Sequence, residues 1–235
     1  MKVSVMQPYA FPYLGYFQLI NAVDVFVFYD DVNFIKQGWI NRNKILVNGK
    51  ENLFTIPIRN ISSFRPINET EINSQLYQKW KTKFLKSLAQ AYKKAPHYEV
   101  VFSIVERVLE KEHDSISALA IDSIEVISSY LKLDTKFVLS SEQLGGTKGL
   151  DKADRLIEIM SILESKQYIN PAGGADLYER DYFMKDGVSL QFISNTLPTY
   201  PQADNEFVNG LSIIDVLMWN DKENVRDMLK KYHLN

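Results

Sequence analysis

The spacing of apolar and polar positions changes character three times along the chain. Residues 2–6 (KVSVM) form a short apolar run that stops at Gln7-Pro8, and residues 25–29 (VFVFY) are apolar throughout. Short runs without alternation fit strands covered on both faces of a sheet. Between them, two prolines and Gly15 mark a loop, and residues 16–22 have helical spacing. Strand, turn, short helix and strand predict a βαβ unit with a right-handed connection. Ligands of such sheets sit beyond the carboxyl ends of the strands. Those ends are Gln7-Pro8-Tyr9 and Asp30-Asp31-Val32-Asn33, so two polar clusters are expected on one edge.

Residues 39–47 and 53–58 then flank Asn48-Gly49-Lys50, and Asn-Gly is the strongest short hairpin signal. Residues 61–68 read as a loop. From 77 to about 131 the spacing is helical in three stretches, KWKTKFLKSLAQAYKKAP, YEVVFSIVERVLEKEH and SISALAIDSIEVISSYLKL. Pro96 is expected to end the first, and Ser115 to cap the third. Residues 135–140 and 167–170 read as strands. The first is followed by the glycine-rich stretch 145–149 and a helix over 152–163. The second is followed by Pro171-Ala172-Gly173-Gly174. Residues 188–192 are the expected last strand, with terminal helices over 213–219 and 223–232. There is no internal repeat or low-complexity linker. The expectation is one α/β domain over 1–235: a Rossmann-like parallel sheet, with a helical subdomain at about 75–132 inserted between the halves of the sheet.

Composition narrows the chemistry. The chain has 235 residues and no cysteine, which excludes disulfides, thiol nucleophiles and thiolate metal sites. A net charge of −2 gives no bulk attraction to nucleic acid or to an anionic membrane, though it leaves a local basic surface open. The opening segment is interrupted by Gln7, Pro8, Pro12 and Gly15 and does not read as a signal peptide. No run approaches the roughly 20 apolar residues of a membrane span, so the expected address is the cytoplasm. His97, His113 and His233 lack ligand spacing, which argues against zinc and against a Ser–His–Asp triad.

Two stretches carry candidate chemistry. In the first, Gln7, Tyr9, Tyr13, Gly15 and Tyr16 surround the strand-to-helix turn. A glycine there admits a ligand to the backbone, and a helix N-terminus favours phosphate. In the second, Asp30, Asp31, Asn33, Lys36, Trp39, Asn41, Arg42 and Asn43 fall within fifteen residues. Paired acids can act as a base, grip sugar hydroxyls or bind magnesium, and Lys36 and Arg42 can take a diphosphate. Trp39 can stack on a base or sugar. In a strand, 41 and 43 share one face and Arg42 takes the other. Gly173 and Gly174 can close the same pocket from the second half of the chain, whereas 145–149 lacks phosphate-loop spacing despite Lys148. Farther along, Tyr200, Gln202 and Asp215 read mainly as packing and pairing groups.

The segment MQPYAFPYLGYFQLINAVDVFVFYDDVNFIKQGWINRNKIL resembles the opening signature of the WbqC-like proteins of polysaccharide and O-antigen synthesis. KWKTKF, AYKKAPHY, TYPQ and LSIIDVL extend the resemblance nearly end to end. Where that family runs Ser-Gly into a loop, this chain has Asn170-Pro171-Ala172-Gly173. The resemblance implies an enzyme acting on nucleotide-activated sugars, with transfer of an acyl or aminoacyl group to an amino sugar as the fitting reaction. A distant likeness to His-x-Gly-His nucleotidyltransferases places Tyr13 and Tyr16 where histidines would stand. Tyrosine does not change charge near neutral pH, which weakens nucleotidyl or adenylyl transfer. The expected partners are a nucleotide sugar and a small acyl or aminoacyl donor, with no membrane and no nucleic acid other than a charged tRNA donor. A non-catalytic sugar-nucleotide binder is the remaining alternative.

Overall fold

The computed structural model describes residues 1–203 and 206–235. In chain order its elements are β1 (Lys2–Met6), α1 (Leu14–Asn21), β2 (Val25–Phe28), β3 (Arg42–Val47), β4 (Lys50–Thr55), α2 (Ser74–Tyr92), α3 (Tyr98–Glu110), α4 (Ile116–Tyr130), β5 (Lys136–Leu139), α5 (Ser140–Gln143), α6 (Lys152–Ile162), β6 (Gln167–Pro171), α7 (Arg180–Met184), β7 (Ser189–Asn195), α8 (Ile213–Trp219), α9 (Lys222–Met228) and β8 (Tyr232–Leu234). Six strands form one sheet in the order β5-β2-β1-β6-β7-β8, parallel except at the β8 edge. The fold is α/β and Rossmann-like, as the alternating apolar runs predict.

Alternate residues of each strand go to opposite faces. Phe26 and Phe28 of β2 enter a large core with α1, the β3–β4 hairpin and the helices α2, α3, α4, α8 and α9. Val25 and Val27 enter a smaller core with Leu156, Ile159 and Met160 of α6 and Phe183 of α7. Both faces are covered, and that is why VFVF shows no polar alternation.

The chain runs from β1 outward to β2 and β5, then returns to place β6 on the other side of β1. The strand order reverses between β1 and β6, which opens a crevice at their carboxyl ends.

Three expectations need correction. The helical stretch lies between β2 and β5, which pair in register from Val25↔Lys136 to Phe28↔Leu139. It is therefore inserted within the first half of the sheet, not between its halves. Its first helix ends at Tyr92, ahead of Pro96. The strand over 188–192 is not the last. The final helix stops at Met228, and Tyr232–Leu234 returns antiparallel along β7. Pairing with β8 covers an edge that would otherwise leave the amides of β7 unmatched. A three-residue strand has no readable period. At the hairpin, Asn48 (φ 51°) and Gly49 (φ 71°) both adopt the left-handed conformation that a two-residue turn demands.

Candidate functional site

The loop between β1 and α1 is pinned at nearly every residue. Ala10 N donates to Ile40 O (3.0 Å), and Ile213 N donates to Pro12 O (2.8 Å). Phe11 takes the left-handed conformation (φ 47°), a strained state for a bulky residue. Its N–H donates to Ser123 Oγ, and its carbonyl accepts from Asn43 Nδ2 (2.8 Å) and Ser212 Oγ (2.7 Å). Pro8, Ala10, Phe11 and Pro12 are buried, which leaves Gln7, Tyr9 and Tyr13 half-exposed along the crevice.

Those three side chains make no hydrogen bond among the described residues; beyond the reversal, Asn195 lies beside Tyr13 and Gly15, while Asn170 lies on the opposite face of the sheet, with Tyr168. Asn170 closes β6. Its Oδ1 accepts from Tyr168 OH (3.1 Å), but its buried Nδ2 has no partner among the described residues. Asn195 ends β7, and its buried Oδ1 likewise lacks a donor. A Cβ at Gly15 would collide with the Asn195 amide and the Tyr13 ring, and one at Gly174 would collide with the Asn170 amide. The glycine at the strand-to-helix turn thus admits a side chain of the protein itself. Buried polar atoms are nearly always paired, and the unmet Asn195 Oδ1 lies next to the half-exposed Tyr13. Burial and the neighbouring Tyr13 push the Tyr9 hydroxyl up to about 12, and burial also raises Tyr13. Both are neutral hydrogen-bonding groups at physiological pH. Tyr16, expected beside them, is buried and donates to Gln7 O at 2.8 Å.

Asp30 and Asp31 sit one strand away on the same edge, and both are buried. Asp30 accepts from Ser140 Oγ (3.0 Å), Ser141 N (3.0 Å) and Ser141 Oγ (2.6 Å). Asp31 accepts from Ser140 Oγ (2.6 Å) and pairs with Arg155 at 2.6 Å. Arg155 also donates to Thr147 Oγ1 (3.0 Å) and lies over the Tyr29 ring. A general base or metal ligand needs free lone pairs. Here the two carboxylates fasten α5 and α6 to the end of β2. Among the described residues no group of three or more His, Asp or Glu side chains converges.

The hairpin residues divide by face. Asn41 and Asn43 are buried and donate to Ile56 O (2.9 Å) and Phe11 O (2.8 Å), so their amides hold backbone. Arg42 donates to Gly38 O (2.8 Å) and Gln37 O, and its guanidinium lies 5.7 Å from the Trp39 ring centre. Asn33, Lys36 and Trp39 are exposed. Gly173 borders open space. The 145–149 stretch is a 3-10 turn that places Thr147 against Arg155. A concavity of about 860 Å³ lies between α3 and α4, away from the sheet edge.

Sequence reading missed Asn195, Arg155, Ser140 and Ser141. Asn195 stands in no motif and becomes legible only once β7 is placed beside β6. Asp215, read as a pairing residue, accepts from Tyr92 OH (2.6 Å), Tyr200 OH (2.7 Å) and Gln202 Nε2 (2.9 Å).

The model of the WbqC-like protein family matches residues 7–227. An uncharacterized protein of Mycobacterium tuberculosis is 28% identical over 223 residues, which cover 92% of each chain. No solved structure matches the chain.

Proposed function

The chain belongs to the WbqC-like protein family, and from that membership we propose an enzyme of cell-surface polysaccharide synthesis that modifies a nucleotide-linked amino sugar. The sugar nucleotide occupies the crevice between β1 and β6. The reaction is acyl or aminoacyl transfer: the sugar amine attacks the donor carbonyl, the amide bond forms, the donor's leaving group departs and the amine gives up a proton. Asn195, Gln7, Tyr9 and Tyr13 bind and orient the substrate through neutral hydrogen bonds. Asp30 and Asp31 enter as the anchor of α5 and α6, not as base or metal ligand.

One observation carries this reading: Gln7, Tyr9 and Tyr13 stand half-exposed and unpaired among the described residues at the strand-order reversal, and the Asn195 amide, whose buried Oδ1 lacks a donor, lies beside Gly15 and the Tyr13 ring. Uncharged donors and acceptors in a shaped crevice suit a sugar and its linked nucleotide.

A thermal-shift screen against nucleotide-linked amino sugars, nucleoside triphosphates and free nucleotides tests the reading. Ligand at about 100 times its Kd contributes roughly 2.7 kcal/mol to the folded state. Stabilisation by amino-sugar nucleotides, with a mass gain on the sugar once a donor is added, is the expected result. Stabilisation by nucleoside triphosphates alone overturns it, and tight sugar-nucleotide binding with no product under any donor makes the chain a binding partner.

A further inference from the structure

The net charge of −2 conceals a strong local asymmetry. Residues 33–66 carry six cations, Lys36, Arg42, Lys44, Lys50, Arg59 and Arg65, against the single acid Glu51. Among the described residues only Lys44 and Arg59 of these are in ion pairs, with Glu51 and Glu71.

Two loops of this segment run side by side: Phe34 N donates to Arg65 O at 2.9 Å, and Asn33 bridges to Pro66. Both belong to the carboxyl edge of the sheet. One leaves β2 directly, and the other is tied back by Asn68 N to Asp30 O (2.9 Å). They hold large apolar side chains in water: Phe64 is 91% exposed, Ile61 55%, Ile35 49% and Trp39 42%. An apolar set of this kind rimmed by cations marks an interaction surface.

We propose that these two loops are a peripheral docking surface for an anionic lipid bilayer. Ile35, Trp39, Ile61 and Phe64 enter the boundary between headgroups and acyl chains, and Lys36, Arg42 and Arg65 meet lipid phosphates. Apolar tips ringed by lysine and arginine are the composition of interfacial sites. Long cationic side chains can lie with their stems in that boundary and their heads in water. Single-stranded nucleic acid would use the same cations, but it needs rings to stack on. Two of the four tips are aliphatic, and Arg42 already lies over the Trp39 ring. The cores of protein interfaces are depleted in lysine. Among the described residues no helix is long and apolar enough to cross a membrane, so the contact is peripheral. It stands independently of what the crevice binds.

Sedimentation of the full chain with vesicles of phosphatidylcholine, alone or mixed with phosphatidylglycerol, tests the surface. Binding is expected only to the anionic vesicles and should weaken with salt. It should come with a blue shift of tryptophan emission that Trp39→Phe removes. Phe64→Ser should weaken partition about tenfold, and the double variant Lys36→Gln/Arg65→Gln roughly 25-fold. Lys36, Trp39 and Phe64 are exposed and Arg65 half-buried, so unchanged melting temperatures verify the fold of each variant. No sedimentation with anionic vesicles, sedimentation indifferent to Phe64→Ser, or preferential capture by a single-stranded RNA overturns the proposal.

Discussion

Single side chains separate anchoring from binding at the sheet edge. Asp31 and Arg155 form a buried ion pair at 2.6 Å, and removing one partner strands the other charge. Asp31→Asn should therefore cost about 3–5 kcal/mol, which lowers Tm by about 10 °C in a chain of this size. A thermal melt checks this; a Tm within about 2 °C of the parent, with turnover abolished, would return Asp31 to the role of base. Asn195 is the opposite case. Its side chain makes no hydrogen bond among the described residues, and its Oδ1 is buried and unmet. Asn195→Ala should leave the Tm of the free protein within about 1 °C, yet weaken sugar-nucleotide binding about five- to tenfold. Calorimetric titration reads the second number. Equal affinity in parent and variant would detach Asn195 from the site.

At the scale of elements, the site depends on a strand that the sequence hardly announces. Asn195 pairs with Tyr232, so β8 fixes the end of β7 from which the amide projects. Gln18 of α1 secures that arrangement: its buried Nε2 donates to Thr196 O (3.0 Å), Met228 O (2.9 Å) and Lys231 O (3.0 Å). Gln18→Leu removes this shared donor; Met228 O and Lys231 O keep backbone donors in Lys231 N (3.1 Å) and Thr196 N (2.9 Å), so the cost should be about 1–3 kcal/mol, centred on Thr196 O. Hydrogen exchange should rise first in Tyr232–Leu234, and an increase spread evenly over the sheet would refute the link. The central strands, the hairpin with its Asn48-Gly49 turn and the helices of the inserted stretch were legible because each carries a period or a turn signal. The clustering of Gln7, Tyr9 and Tyr13 was legible as a strand end. The place of Asn195 beside Tyr13 and Gly15 was not legible, because about 180 residues separate them and only the packing of α1 on β7 unites them. The anchoring partners of the acids were not legible either. Adjacent carboxylates look reactive until the serines that begin α5 and the arginine of α6 occupy them.

Across the whole molecule, one buried carboxylate joins segments remote in sequence. Asp215 of α8 accepts from Tyr92 of α2 and from Tyr200 and Gln202, while Tyr92 OH accepts from Leu46 N of β3 at 2.8 Å. Hairpin, helical insert and C-terminal segment meet at this point. Burial holds the Asp215 carboxyl above the ordinary aspartate range, against the three hydrogen bonds that pull it down. The folded chain therefore keeps this proton at pH values where the unfolded chain has lost it. The group's contribution to stability is fully present below the ordinary aspartate pKa and is lost as pH rises through the raised one. Asp215→Asn cannot titrate, so its stability carries none of this dependence. The stability of the parent relative to Asp215→Asn should be greatest at acid pH and decline as pH rises from about 4. Urea unfolding of both proteins across that range measures the difference. A difference that stays constant would mean the carboxylate is ionised in the folded state throughout, and one that grows with pH would mean that Tyr92, Tyr200 and Gln202 outweigh burial.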